Sequence, residues 1–324
     1  DSLALGTVCD MVPLTGPNRL FVKHGFKVMQ NSNNAGLNAL IEVSRISGPL
    51  EPYHAGFVLG PRINAGSRVH KSDLGATLLS IEDAGEANNI AWTLNDCNDK
   101  RKAIQGEMER EALDMVEREG LDQNPIIFVA SENFHQGLSG LVAGRLKEKY
   151  GKPAVLVAFA ENEQGDIEGR GSGRSIAGIH IAQAFIDARN EGILQKGGGH
   201  AMAGGFTVAE NQIETFKAFL YDHISRQMQS TDANIQTDID AVVTVRGATP
   251  ALVHTLQDLF GPFGQEHPEP LFLLQNVRVH SADVVGDAHI RTMISDWEGG
   301  TRIKAMAFRA VGTPLGDALL KQGK

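Results

Sequence analysis

A chain of 324 residues with 30 Lys and Arg against 39 Asp and Glu, a formal net charge of −9, has no overall basic surface for wrapping duplex nucleic acid. The length suffices for two or three domains, and 42% hydrophobic with 21% charged residues is the balance of a globular protein. No apolar run approaches the ~20 residues that cross a bilayer, and only Cys9 and Cys97 are present, far apart, which argues against a disulfide framework or zinc site and for a reducing, cytoplasmic compartment.

Asp1 stands where a start methionine would, and a strand-like run over 3–9 follows at once, so the chain reads as part of a longer protein. Short helices are predicted over 38–46 and 73–80. Between 86 and 119, apolar or small residues recur at Ile90, Leu94, Cys97, Ile104, Met108, Ala112 and Met115, which is helical spacing. About 34 residues at a 1.5 Å rise span roughly 50 Å, suited to joining two domains. The plainer alternative is a two-helix hairpin broken near Gly106.

Gly120 to Pro125 is a breaker, and a second α/β domain follows it: strand 126–130, helix 137–150, strand 154–159, helix 179–189, strand 206–208 and helix 213–228. Two stretches inside it, 171–175 and 196–205, read as loops. A polar stretch at 229–234 closes the domain. Short strand-like runs at 239–245, 271–279 and 303–308, with one helix at 250–260, then suggest a small barrel.

The candidate chemistry sits in the loops. Lys196-Gly-Gly-Gly-His200-Ala-Met-Ala-Gly-Gly205 strips the backbone around His200, so bare N–H groups at Gly198 and Gly199 can meet an oxygen-rich ligand while the imidazole donates to it. The plainer alternative is a tight turn with a core histidine. Gly171-Ser172-Gly-Arg174-Ser adds a hydroxyl and a guanidinium able to pair bidentately with phosphate, and the two loops together form a plausible phosphate clamp. Arg62, Asn64 and Arg68 occupy a Gly-Pro-initiated loop, either contacting a phosphate near a scissile bond or capping a helix with solvated arginines. His135 opens a helix, where it either touches an anion or caps. Arg145, in mid-helix, reads as an internal ion pair. Asp10 follows the first apolar run, where an aspartate is ordinarily a turn or cap residue.

Taken in order, Leu5-Gly-Thr-Val-Cys-Asp10-Met-Val-Pro-Leu14, Leu59-Gly-Pro-Arg-Ile-Asn-Ala65, His135-Gln-Gly-Leu-Ser-Gly-Leu-Val-Ala-Gly-Arg145, the two loops, and Gly261-Pro-Phe-Gly264 with Pro268-Glu-Pro270 resemble the RecJ single-strand-specific DNA exonucleases of the DHH phosphoesterase superfamily. Local departures are Phe134 and Gln136 where the family usually has tryptophan and proline, Ser67 for glycine, and Glu266-His267 for Gly-Asn.

The resemblance implies an α/β chain with the C-terminal part of a DHH domain (1–84), a long connecting helix (85–119), a DHH-associated substrate-binding domain (120–230) and an OB-like β-barrel that grips single-stranded DNA (231–324). It implies metal-dependent 5′-to-3′ hydrolysis of single-stranded DNA in repair and recombination. Asp10 matches a metal-binding aspartate, and Arg62, Asn64, Arg68, His135, Ser172, Arg174, His200, Gly198 and Gly199 take the substrate. The other metal motifs of the family are not within 1–324, so Mn2+ or Mg2+ is implied for the intact protein and this chain alone is expected to be inactive. A helicase or a single-strand-binding protein is the implied partner class. Two further readings are a smaller DHH phosphodiesterase for short oligonucleotides or cyclic dinucleotides, which lacks a third domain, and a non-catalytic strand-binding member.

Overall fold

The computed structural model describes residues 1–162, 164–230 and 237–322. The chain divides into two compact units, Asn31–Ile235 and the paired segments Asp1–Gln30 with Gln236–Lys324. The expected first domain, 1–84, is thereby divided after residue 30.

The chain begins with two helices, α1 (Ser2–Cys9) and α2 (Gly16–Met29). α1 replaces the strand expected over 3–9. A short apolar run carries no period that separates a buried strand from a buried helix, and here Asp1 caps the run by accepting from Ser2 N, while Ala4, Leu5 and Thr7 are buried. Gly25 of α2 lets Ala4 of α1 approach, because a Cβ at Gly25 would strike the Ala4 methyl.

The larger unit opens with α3 (Ala35–Val43), the short α4 (Pro52–His54), one π-helical turn (Ala55–Leu59), α5 (Gly60–Val69) and α6 (Leu74–Ser80). α5 corrects the loop expected around Arg62, Asn64 and Arg68: proline is well suited to the start of a helix, and Gly60-Pro61 starts this one. Next comes α7 (Ala84–Glu119), one unbroken helix of 36 residues. Asp83 caps it by accepting from Glu86 N at 2.7 Å, and Gly120 stops it at φ 63°. The break considered near Gly106 does not occur.

The rest of this unit has three layers. A five-stranded sheet of β1 (Ile127–Ser131), β2 (Ala154–Glu161), β3 (Ile167–Arg174), β4 (Lys196–His200) and β5 (Ala203–Ala209) runs in the order β1-β2-β3-β5-β4, with only β1 and β2 parallel. The near-continuous apolar runs of β1 and β2 suit burial on both faces. On one face Met108, Ala112 and Val116 of α7 and Val142, Ala143 and Leu146 of α8 (Ser139–Tyr150) pack against Val129 and Leu156. On the other, α9 (Ile181–Asn190) and α10 (Ile213–Ser230) bring Phe185 and Phe216 onto Val155 and Phe206. Both expected loops are strands: 171–174 completes β3, and 196–205 is the β4–β5 hairpin, turning at Ala201 and Met202. The polar stretch 229–234 lies outside the described residues from 231 onward.

A polar tie joins the two outer helices. His223 Nε2 of α10 lies 2.9 Å from Asp187 Oδ2 of α9, and Gln183 Nε2 donates to Asp187 Oδ1 at 2.8 Å. These hydrogen bonds, that of His223 first, hold the Asp187 carboxyl below its ordinary value. A depressed carboxyl stabilises the fold above its unfolded pKa of about 3.9, and that contribution disappears as pH falls through and below that value. Asp187→Asn should therefore lower the melting temperature at pH 7, with the gap to the parent chain closing below about pH 4. Thermal unfolding of both proteins between pH 3 and pH 7 measures this, and a gap independent of pH would refute it.

The other unit joins α1 and α2 to β6 (Ala241–Val243), α11 (Pro250–Phe260), β7 (Phe272–Leu274), β8 (Val277–Val285), β9 (His289–Asp296), β10 (Arg302–Ala307) and α12 (Pro314–Gln322). Its first thirty residues dock by hydrogen bonds to main-chain carbonyls. Leu14 N donates to Gln265 O at 2.8 Å, the Arg19 guanidinium donates to the carbonyl of Phe260 at the end of α11, and Lys23 Nζ donates to Asp258 O at 3.1 Å. The strand expected over 271–279 is two strands, parted where Asn276 takes φ 51°. β8, β9 and β10 form an antiparallel sheet in the order β10-β9-β8, and β6 pairs in parallel with β7. Among the described residues these five strands form two separate sheets. β9, not anticipated from sequence, supplies Ile290, Thr292 and Ile294 to the buried side.

Candidate phosphate-binding site

The glycines of β3 set the geometry. Gly169-Arg170-Gly171-Ser172-Gly173-Arg174 alternates, and so do the faces of a strand. Cβ atoms at Gly169, Gly171 and Gly173 would strike Val157, Phe206 and Phe185 in the α9–α10 core. Arg170, Ser172 and Arg174 therefore stand on the opposite face, the one that α8 covers farther along the sheet.

Pairing carries that face across two more strands. Ser172 pairs with Gly205 and Gly205 with Gly198, while Arg174 pairs with Ala203 and Ala203 with His200. Directly paired residues share a face, so Ser172, Arg174, Gly198, Gly205 and His200 surround one floor. That floor is bare: a Cβ at Gly198 meets nothing within 4 Å, and one at Gly205 only Gly171 O at 3.6 Å. Gly199 faces the other way, at φ 139°, where a Cβ would meet Ala203 O at 2.5 Å. Its contribution is the close β4–β5 hairpin.

Arg174 Nη1 donates to Ser172 Oγ at 3.2 Å and to Gly173 O at 2.9 Å. Both side chains lie against Gly140 in the first turn of α8, where a Cβ would sit 2.5 Å from Arg174 Nη2 and 2.9 Å from Ser172 Oγ. The guanidinium thus stands at the N-terminus of α8, the positive end of the helix dipole. His135 sits just before, its Nδ1 accepting from Gly137 N at 3.2 Å. It caps the short 3-10 turn Gln136–Leu138 ahead of α8.

Three more arginines converge. Arg68 of α5 donates from Nη1 to Gly137 O at 2.9 Å, bringing α5 to the turn ahead of α8. Arg62 donates from Nε to Asn95 Oδ1 at 3.1 Å and from Nη1 to Val58 O at 2.9 Å. Arg101 of α7 donates from Nη2 to Asn98 Oδ1 at 3.0 Å and from Nη1 to Gln105 Oε1 at 3.2 Å. Burial, and then the nearby Arg68, pushes the Arg174 guanidinium below the usual arginine range; burial, Arg68 and Arg62 do the same to Arg101. Burial likewise lowers Arg62, against the opposing pull of Asp99.

The partners of these four guanidiniums are neutral. Arg118, Arg145, Arg170 and Arg226 each pair with a carboxylate, at 2.8 to 3.1 Å, whereas no described carboxylate lies within ion-pair distance of Arg62, Arg68, Arg101 or Arg174. Amide and carbonyl oxygens orient a guanidinium without cancelling its charge, leaving an electropositive, half-buried site suited to phosphate. Arg145 pairs with Glu148 at 3.1 Å, but on the exposed side of α8 and one turn away, not as the internal pair expected from sequence.

Sequence reading did not single out Arg101. The local signal is Asn98, three residues ahead of Arg101 and thus its neighbour on the helix surface. Asn64 is exposed on α5, and none of its side-chain atoms enters the cluster's hydrogen bonds. Asp10 belongs to the other unit, exposed at the end of α1 with its N–H donating to Gly6 O. Among the described residues no three His, Cys, Asp or Glu side chains are grouped to hold a metal ion.

Residues 123–226 match the DHHA1 domain model and residues 239–321 the RecJ OB domain model. The chain is RecJ-like. It is 33% identical over 95% of its length to the single-stranded-DNA-specific exonuclease RecJ of Dickeya dadantii, covering 54% of that protein, and 32% identical to the Escherichia coli RecJ, again covering 54%. The crystal structure of Thermus thermophilus RecJ in complex with Mn2+ superposes with a TM-score of 0.77 at 30% identity, over 93% of this chain and 43% of that one. The RecJ-like chain thus spans about half the length of the curated relatives it matches. Strands β3, β4 and β5 and helix α8 fall in the DHHA1 match, while Arg62, Arg68 and Arg101 lie ahead of it.

Proposed function

We propose that this chain is the strand-holding part of a metal-dependent single-stranded-DNA exonuclease that removes nucleotides from a 5′ end. One observation carries the reading: Arg174 and Ser172 stand over a bare glycine floor beside three further arginines that form no ion pair with a carboxylate among the described residues. Such a floor admits a phosphate group to main-chain distance, and the guanidiniums neutralise it. A small half-buried cation cluster on a chain of net charge −9 favours one flexible strand over the wide surface of a duplex.

His200 at the rim and His135 ahead of α8 are assigned as donors to the bound strand, with Asn64 as an outer contact on α5. The match of 239–321 to the RecJ OB domain supports a strand-gripping third domain, and with it the exonuclease over a smaller phosphodiesterase for cyclic dinucleotides. A helicase or single-strand-binding protein is the partner class that would present such a strand. With no helix long and apolar enough to span a membrane among the described residues, and two free cysteines, we place the activity in the cytoplasm.

RecJ structures hold Mn2+ or Mg2+. Of the side chains here only Asp10 is proposed as a ligand, and one carboxylate does not hold a catalytic metal pair. The described residues therefore do not assemble that centre, and the chain's assigned part is to bind and place the strand. The expected result is that this chain binds 5′-phosphorylated single-stranded DNA in preference to duplex, yet releases no nucleotides in Mn2+. Anisotropy with labelled oligonucleotides and a nucleotide-release assay measure both. Equal affinity for duplex, or robust release unchanged in Asp10→Ala, would sink the reading.

A further inference from the structure

We propose that Arg101 and Arg62 form a second phosphate subsite, which takes the first internucleotide linkage of the strand whose terminal phosphate Arg174 and Ser172 hold. The inference rests on the strand-holding reading above and extends it to α7, outside both matched domains.

Hydrogen-bond partners and mutual repulsion order the guanidiniums, with Arg68 between Arg174 and the Arg62–Arg101 pair. Arg174 is anchored on β3 and lies against α8; Arg68 reaches Gly137, just ahead of α8. Arg62 and Arg101 lie farther along, tied to Asn95, Asn98 and Gln105 on successive turns of α7. The electrostatics keep this order. Arg174 is pushed by Arg68, whereas Arg101 is pushed by both Arg68 and Arg62. A single phosphate at Arg174 leaves the far pair with only Asp99 acting on it, without an ion pair, and a strand carries its next charge one linkage away.

Arg101 also has unused donors. Each of its Nη atoms carries two hydrogens and makes one hydrogen bond among the described residues. Asp99 acts on Arg62 and Arg101 through its charge but forms no ion pair with either; its Oδ1 lies 3.3 Å from Lys102 Nζ and its Oδ2 accepts from Asn95 Nδ2 at 3.4 Å. The remaining Nη hydrogens are the donors that an anionic ligand oxygen would use. Arg62 likewise keeps Nη2 outside its bonds to Asn95 and Val58.

The test uses the full chain and 5′-phosphorylated tetranucleotides, either all-phosphodiester or with one neutral methylphosphonate at the first or the third linkage. For the parent chain, neutralising the first linkage should weaken binding about 10-fold, the scale of one charge-assisted hydrogen bond, and neutralising the third should change it little. Arg101→Gln should weaken the all-phosphodiester probe by a similar factor and lose nothing further at the modified first linkage. Arg174→Ala should still discriminate at that linkage. Arg101→Lys, which keeps the charge, guards against a folding artefact and should retain part of the discrimination. If Arg101→Gln kept the parent's ratio between native and first-linkage probes, the second subsite would be overturned while strand binding stood. If the parent chain bound none of the probes, the strand-holding reading itself would fall.

Discussion

Replacing Arg174 with alanine should cost about 1.5–3 kcal/mol in binding a 5′-phosphorylated strand, roughly a 10- to 150-fold loss, and much less for a 5′-hydroxyl strand. The side chain meets Ser172 Oγ, the Gly173 carbonyl and the first turn of α8, so the fold already orients it and binding loses little side-chain entropy. Its charge is not offset by a carboxylate, so the positive potential at the floor falls when it is removed. Arg68 lies close by and would partly compensate, which places the effect below that of deleting an isolated cation. Comparing dissociation constants for the two strand ends, in parent and variant at one salt concentration, reads the difference. Equal weakening of both ends would make Arg174 a general backbone contact rather than a reader of the terminus.

Two adjacent glycines should give opposite phenotypes. Gly204 faces the α9–α10 core, where a Cβ would sit 2.7 Å from Gly198 O and 2.8 Å from Phe185, one atom belonging to a paired strand and the other to a packed ring. Gly204→Ala should therefore destabilise by about 1–3 kcal/mol, the usual cost of overfilling a tight core. Gly205 faces the floor with only Gly171 O in reach, at 3.6 Å, so Gly205→Ala should fold normally and lose affinity for the phosphorylated strand. Denaturant unfolding and strand binding, measured on both variants, separate the two roles. Loss of stability in Gly205→Ala with binding intact would show that this face does not receive the ligand.

The sequence by itself carried a good deal. The period of α7 and its glycine stop were readable because a long amphipathic helix repeats one signal many times, whereas its Asp83 cap was not singled out. β1 and β2 were readable as apolar runs of strand length between breakers. Ser172, Arg174, Gly198 and His200 were named from sequence, and the pairing of β3, β4 and β5 brings them to one face; their role towards a ligand is the proposal above.

Tertiary structure decided three things. It made strands of the two glycine-rich loops, since glycine, ordinarily a breaker, is the residue that a strand needs where Phe185 and Phe206 press against its backbone. It made a helix of 2–9, because an apolar run takes the conformation its neighbours can bury, and α2 offered a groove at Gly25. And it brought Arg62 and Arg68 of α5 and Arg101 of α7 towards Arg174, from two helices far from β3 in sequence. No local pattern records that convergence; it follows from the packing of α5 on α7 and of α7 on the sheet, which sets side chains remote in the chain close enough to repel one another.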